Sequence, residues 1–262
     1  ILLPESATGK DIEEARKLLI DRGAADAAGG SSFYGAWYER RDIVTFKNSS
    51  FPDTTNFAYS WENCVNLSNL ETLHAPSGTS FGGAWRGTTA LTSFPAGAKL
   101  GTEANNVNFD GAWNSSGLTS FSTPLPTATS ASIAWGYCSA LTQFNLDSLP
   151  VVLNVSQAWR NTGLISFTTN LPSATSGSYA WYSATSLNSF GAVDIKNCAD
   201  FTGAWQNCLA LTSFPADAKL GTEAENVNFT YAWRSSGLTS FPALDLSNAT
   251  NLQSTWRDCD DM

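Results

Sequence analysis

Chemistry in this chain would have to start from very few groups. His74 is the single histidine, and Cys64, Cys138, Cys198, Cys208 and Cys259 are the only thiols. With no second histidine, no metal-spaced cluster, no Gly-x-Ser-x-Gly turn and no phosphate loop, hydrolytic and metal-assisted reactions lack their working parts. Asp258, Asp260 and Asp261 crowd the last residues. A frayed acidic segment accounts for them more simply than paired acid–base catalysis. An enzyme is therefore the last of three function classes the sequence admits, and no cofactor and no metal are expected.

The polar groups instead belong to a repeat. Ten tryptophans, at 37, 61, 85, 113, 135, 159, 181, 205, 233 and 256, follow one another at intervals of 24, 24, 28, 22, 24, 22, 24, 28 and 23 residues. Such a period marks a solenoid. Alanine precedes eight of them, Ser60 and Thr255 the other two. An aliphatic residue comes five or six places later, from Ile43 and Leu67 through Leu238, and Phe or Leu three places beyond that, as in Phe46, Leu70 and Phe241. Another phenylalanine often stands four places before the tryptophan, at Phe33, Phe57, Phe81, Phe109, Phe201 and Phe229. The segment from Phe94 to Phe121 recurs from Phe214 with 23 of 28 residues identical, an offset of 120 residues that points to duplication of five coils as a block. Block editing of this kind is tolerated where each coil touches mainly its neighbours.

If the chain winds once per repeat, equivalent residues stack about 4.8 Å apart. Phe, Trp, Leu and Phe then build a shared core that no single coil could bury. About ten coils of 22–28 residues would make a rod roughly 50 Å long. Exposed indoles could stack on sugars. The fixed phase of each tryptophan with Leu and Phe, and the small residue before it, assign them to the core. Cys64, Cys138, Cys208 and Cys259 fall three places after tryptophan, in coils two or three apart and so separated by roughly 10–15 Å. That exceeds the reach of about 7 Å for a disulfide. Nothing in the spacing favours a Cys198–Cys208 bridge, so buried free thiols are expected.

A short parallel strand is expected after the second Phe of each coil, where Leu244 and Leu246 alternate with polar neighbours in "FPALDLSNATNL" and Val193-Asp194-Ile195 matches them. Pro95, Pro215 and Pro242 would sit at its start, a position open to proline. The unit F-x-x-A-W-x-N-C-x-A-L-T-S-F-P-x-L-D-x-S-x-A-T-N resembles the BspA-type leucine-rich repeat of bacterial surface proteins, with similar arrays in phage tail proteins. Family coils carry Phe where this chain has the tryptophan of Ala-Trp. The likeness spans about Ser31 to Cys259 and implies adhesion or receptor contact.

Residues 1–30 read as an N-terminal helix, a cap or a linker, ahead of a solenoid over 31–262. Ile12, Ala15, Leu18 and Leu19 share one helical face, Thr8 or Asp11 serves as cap, and Gly23 ends it. The chain opens on Ile1, which reads as a processed product or a fragment, and "ILLPES" lacks the build of a signal peptide. No run of 18 apolar residues occurs, so no membrane insertion is expected. Fourteen basic against 23 acidic residues, a net charge of −9, disfavour nucleic acid and anionic membranes as partners.

Ligand contacts are expected on outward strand positions and in the insertions. Aligning the strands on Leu73, Val193 and Leu244 places Thr72, His74, Asp194, Lys196, Asp245 and Ser247 on one outward face. The two 28-residue coils carry the loops "AGAKLGTEANN" and "ADAKLGTEAEN", with Lys99, Glu103, Lys219 and Glu223 projecting from one edge. The reading is a non-catalytic recognition module, extracellular, on a cell surface or virion, that binds a cell-surface glycan or protein receptor as an adhesin or tail fibre does. The alternative is a structural protein that self-associates into a fibre or decorates a virion.

Overall fold

A computed structural model describes residues 31–47, 49–191 and 193–262; the helix expected within residues 1–30 lies outside them. The described chain is a parallel β-solenoid whose ten tryptophan rungs enclose about nine turns. Among these residues the strands, 17 in number, are two or three residues long, all their pairings are parallel, and no helix occurs. Instead of one strand per coil after the second Phe, each turn offers three places for pairing.

The first row runs without a break. It stands five residues before each tryptophan and comprises Ser32, Asn56, Ser80, Asn108, Ser130, Asn154, Ser176, Asp200, Asn228 and Asn251. Its composition has a local cause. The side-chain oxygen of Asn56, Asn108, Asn154, Asp200, Asn228 or Asn251 accepts the backbone N–H two residues on, at 2.6–3.0 Å. This is the Asx turn that bends a chain out of a strand.

The bend leads into an arc that carries Phe and Trp inward. Residues two before and two after every tryptophan have positive φ, from Gly35 and Glu39 to Ser254 and Asp258. Along the arc, alternate N–H groups either reach three residues back or cross to the next coil. Trp37 N–H donates to the Ser60 carbonyl, and each later tryptophan through Trp233 does the same to the residue before its successor, at 2.7–2.9 Å. Three arcs are one residue shorter, with Leu118, Leu164 and Leu238 five rather than six places after tryptophan. All three need glycine: a Cβ on Gly117, Gly163 or Gly237 would lie 2.1–2.5 Å from a carbonyl oxygen of the preceding coil.

The second row pairs Thr45–Phe46 with Asn69–Leu70, Ser120–Phe121 with Gln143–Phe144, and Ser166–Phe167 with Ser189–Phe190. It fails at Phe94, Phe214 and Phe241, and it also breaks between Phe144 and Phe167, whose pairs belong to separate sheets. In three coils the next residue donates its N–H to the previous coil, Glu71 to Phe46, Asn145 to Phe121 and Gly191 to Phe167; Pro95, Pro215 and Pro242 have none to give. Proline therefore interrupts a strand here instead of opening one. The third row holds Ser49–Ser50, Leu73–Ala75 and Lys99–Leu100 as one sheet, and Asp194–Ile195 with Lys219–Leu220 as another.

Inside, the indoles of successive coils lie 4.9–6.2 Å apart with planes within 14° of parallel. Nine are buried and Trp256 is half-buried. A second stack, Phe33, Phe57, Phe81 and Phe109, runs beside them, and Phe201 and Phe229 resume it after Ala131, Val155 and Gly177. Phenylalanines of the second row meet the indoles at steep angles, for example Phe94 on Trp113 at 85°. Offset stacks and edge contacts are the two arrangements aromatic quadrupoles favour, each adding about 0.5–1.5 kcal/mol beyond burial.

Candidate functional site

Outward residues of the third row include most of the expected ligand face. His74, half-buried in the Leu73–Ala75 strand, lies in register between Ser50 and Lys99. Asp194 pairs with Lys219. The first halves of the long loops, Lys99–Leu100 and Lys219–Leu220, are strands of this same row. Only the turn that follows, with exposed Glu103 or Glu223, stands out from it. Glu223 turns back onto Lys196, with the ammonium 3.0 Å from its carboxylate and its own N–H on the Lys196 carbonyl at 2.8 Å. That carboxylate raises the Lys196 pKa.

The candidates fall into separate groups along the rod. Thr72, His74, Lys99 and Glu103 form one, and Asp194, Lys196, Lys219 and Glu223 another, five coils further on. Asp245 and Ser247 lie beyond them, exposed but outside any strand, because Leu244 N–H turns back to the Pro242 carbonyl. Hydrogen bonds from the Ser247 hydroxyl and N–H hold the Asp245 carboxyl below its usual range.

The five thiols are free and buried. Three residues after each tryptophan, Cys64, Cys138, Cys208 and Cys259 donate to the tryptophan carbonyl of the preceding coil at 2.9–3.1 Å, while Thr88 and Thr162 serve the carbonyl of their own coil. Burial pushes the thiols of Cys64, Cys198 and Cys208 up to about 12 and that of Cys138 up to about 11, so they are poor nucleophiles. Among the described residues no group of three His, Cys, Asp or Glu is placed to hold a metal, and no helix is long and apolar enough to cross a membrane.

A different surface collects the residue types that recognition sites favour. All seven tyrosines lie on the outer side of the tryptophan arc, one to three residues from a tryptophan: Tyr34, Tyr38, Tyr59, Tyr137, Tyr179, Tyr182 and Tyr231. Arg86, Arg160, Arg234 and Arg257 each directly follow one. The Arg160 guanidinium sits over Tyr182 at 4.7 Å and Tyr137 at 5.6 Å. Tyrosine and arginine carry much of the energy at protein recognition sites. The signal was available in the sequence as a clustering of Tyr and Arg around Ala-Trp, but scattered over four positions of the arc.

Fold and surface together define a parallel β-solenoid with a buried aromatic core. Comparison of the chain with protein-family models, with curated proteins and with solved structures finds no match.

Proposed function

We propose that the chain is a non-catalytic recognition module of the BspA-like leucine-rich-repeat kind, displayed outside a cell or on a virion, where it contacts a surface glycan or protein receptor. What supports this most is the division of labour within each coil. The inward positions are confined to residues the stack needs, while the outward positions of the third row and of the arc vary freely between coils. A rigid scaffold with variable outer positions suits recognition. The test is attachment of the purified chain to candidate host cells. Combined Lys99→Ala, Lys219→Ala and Asp245→Ala should abolish attachment and shift stability by under about 0.5 kcal/mol. Unaltered attachment removes the third-row face from the reading.

The structural alternative draws on the last turn, where Phe241, Leu244, Leu246 and Trp256 are half-buried and Leu252 is exposed, unlike their equivalents in earlier coils. A following coil of a longer chain or a second copy would cover them equally well. Concentration-dependent sedimentation, lost on Leu252→Glu, is the outcome that favours assembly between copies.

A further inference from the structure

The first turns hold an open cleft of about 550 Å³ lined by Tyr34, Gly35, Tyr38, Tyr59, Glu62 and Arg86. We infer that this cleft is a saccharide-binding subsite that takes one neutral pyranose unit of a surface glycan; this rests on the recognition reading above and names its ligand.

Three features of the arc build the cleft. Gly35 occupies the position two before tryptophan, where the next coil has Tyr59, so no side chain fills the space beside Tyr34 and Tyr38. Tyr59 leans the other way, over Gly83, where a Cβ would lie 2.6 Å from the tyrosine ring. Tyr34 meets Tyr59 edge-on, with centroids 5.4 Å apart and planes at 74°, which leaves two ring surfaces at an angle. All three rings are open to solvent, Tyr34 by 63%, Tyr38 by 47% and Tyr59 by 36%. Nothing in the coil repeat requires tyrosine at these places.

The position after tryptophan then supplies an aromatic, an acid and a base in consecutive coils: Tyr38, Glu62 and Arg86. The Glu62 side chain is only 11% exposed, and its ion pair with Arg86 is loose, 3.5 Å from Nε to Oε1. A carboxylate on so buried a side chain gains from further donors. Vicinal hydroxyls supply them: one can donate to Glu62 while its neighbour accepts from Arg86, and the apolar C–H face of the ring rests on a tyrosine. Among the lining residues Glu62 and Arg86 offset each other in charge, while the Glu39 carboxylate, hydrogen-bonded with the Tyr38 hydroxyl, adds a further acceptor for sugar hydroxyls at the rim. A neutral, amphipathic, polyhydroxylated ligand fits that balance. The volume lies within the usual span of about 300–1,000 Å³ for small-ligand sites.

The experiment is saturation-transfer NMR and titration of the whole chain with methyl glycosides of glucose, galactose, mannose and N-acetylglucosamine at millimolar concentration. The expected result is binding of at least one, with transfer strongest at ring C–H protons. Tyr34→Ala and Glu62→Gln should each weaken it by roughly tenfold or more, the scale of a lost binding anchor. Tyr137→Ala, on the same arc outside the cleft, should leave it unchanged. Tyr34 is exposed and Glu62→Gln preserves shape, so thermal midpoints should hold. Saccharide binding that survives both cleft variants overturns the subsite and leaves the recognition reading standing. No saccharide binding by a chain that still attaches to cells overturns the ligand class alone. Loss of both overturns the subsite and the reading under it.

Discussion

The thiols show most directly how burial becomes a measurable property of single residues. Cys64, Cys138, Cys198 and Cys208 titrate at about 11 to 12 in the fold against an ordinary 9.0. Each raised pKa means that the folded chain holds its proton more tightly than the unfolded one. Their contribution is complete below about pH 9 and falls away as pH rises toward the folded values. Urea midpoints should therefore drop steeply in alkali. The combined Cys→Ser variant at these four positions should flatten that drop, since serine keeps the donor and does not ionise there. A slope unchanged by the four substitutions would contradict the assignment. Native protein should also resist thiol reagents and release five thiols on denaturation.

At the scale of one coil, two local devices turn the chain: the Asx residue five before tryptophan and, in the short arcs, glycine four after it. Asn154→Ala removes the 2.9 Å bond to Ser156 N–H and should cost about 1 kcal/mol by chemical denaturation. Gly117→Ala forces a methyl to within 2.1 Å of the Thr89 carbonyl oxygen and should cost more, about 2–3 kcal/mol. Equal costs would mean that the arcs relax freely. The period and the inward tryptophans were legible because apolar residues with a fixed phase have one physical reading. The first strand row was not, because Ser, Asn and Asp read equally well as turn, cap or solvated surface until the pairing is seen. The role of Pro95 is hidden for a related reason: its tolerance at a strand's start depends on whether a neighbouring coil needs its N–H, which sequence does not state. The tyrosine cleft escaped because its residues come from three coils and three arc positions. Only the turns of the solenoid bring Tyr34, Tyr59 and Arg86 together.

Over the whole molecule, neighbour-only contact makes coils removable. The duplicated segments from Phe94 and Phe214 are interchangeable in phase, so deletion of residues 94–213 joins Ser93 to Phe214 and preserves the 28-residue step to the next tryptophan. The shortened chain should be soluble, keep its β signal per residue and melt cooperatively at a lower temperature, as a sum of fewer nearest-neighbour terms predicts. An unfolded product would show that the array is not modular. The continuous indole stack is what every other feature depends on, and iodide quenching of tryptophan emission tests it most directly. Nine buried indoles and the half-buried Trp256 predict blue-shifted emission with one minor quenchable component, removed by Trp256→Phe and restored to full quenching only on unfolding. Ready quenching of most of the emission in the native state would contradict the buried ladder and the solenoid built on it.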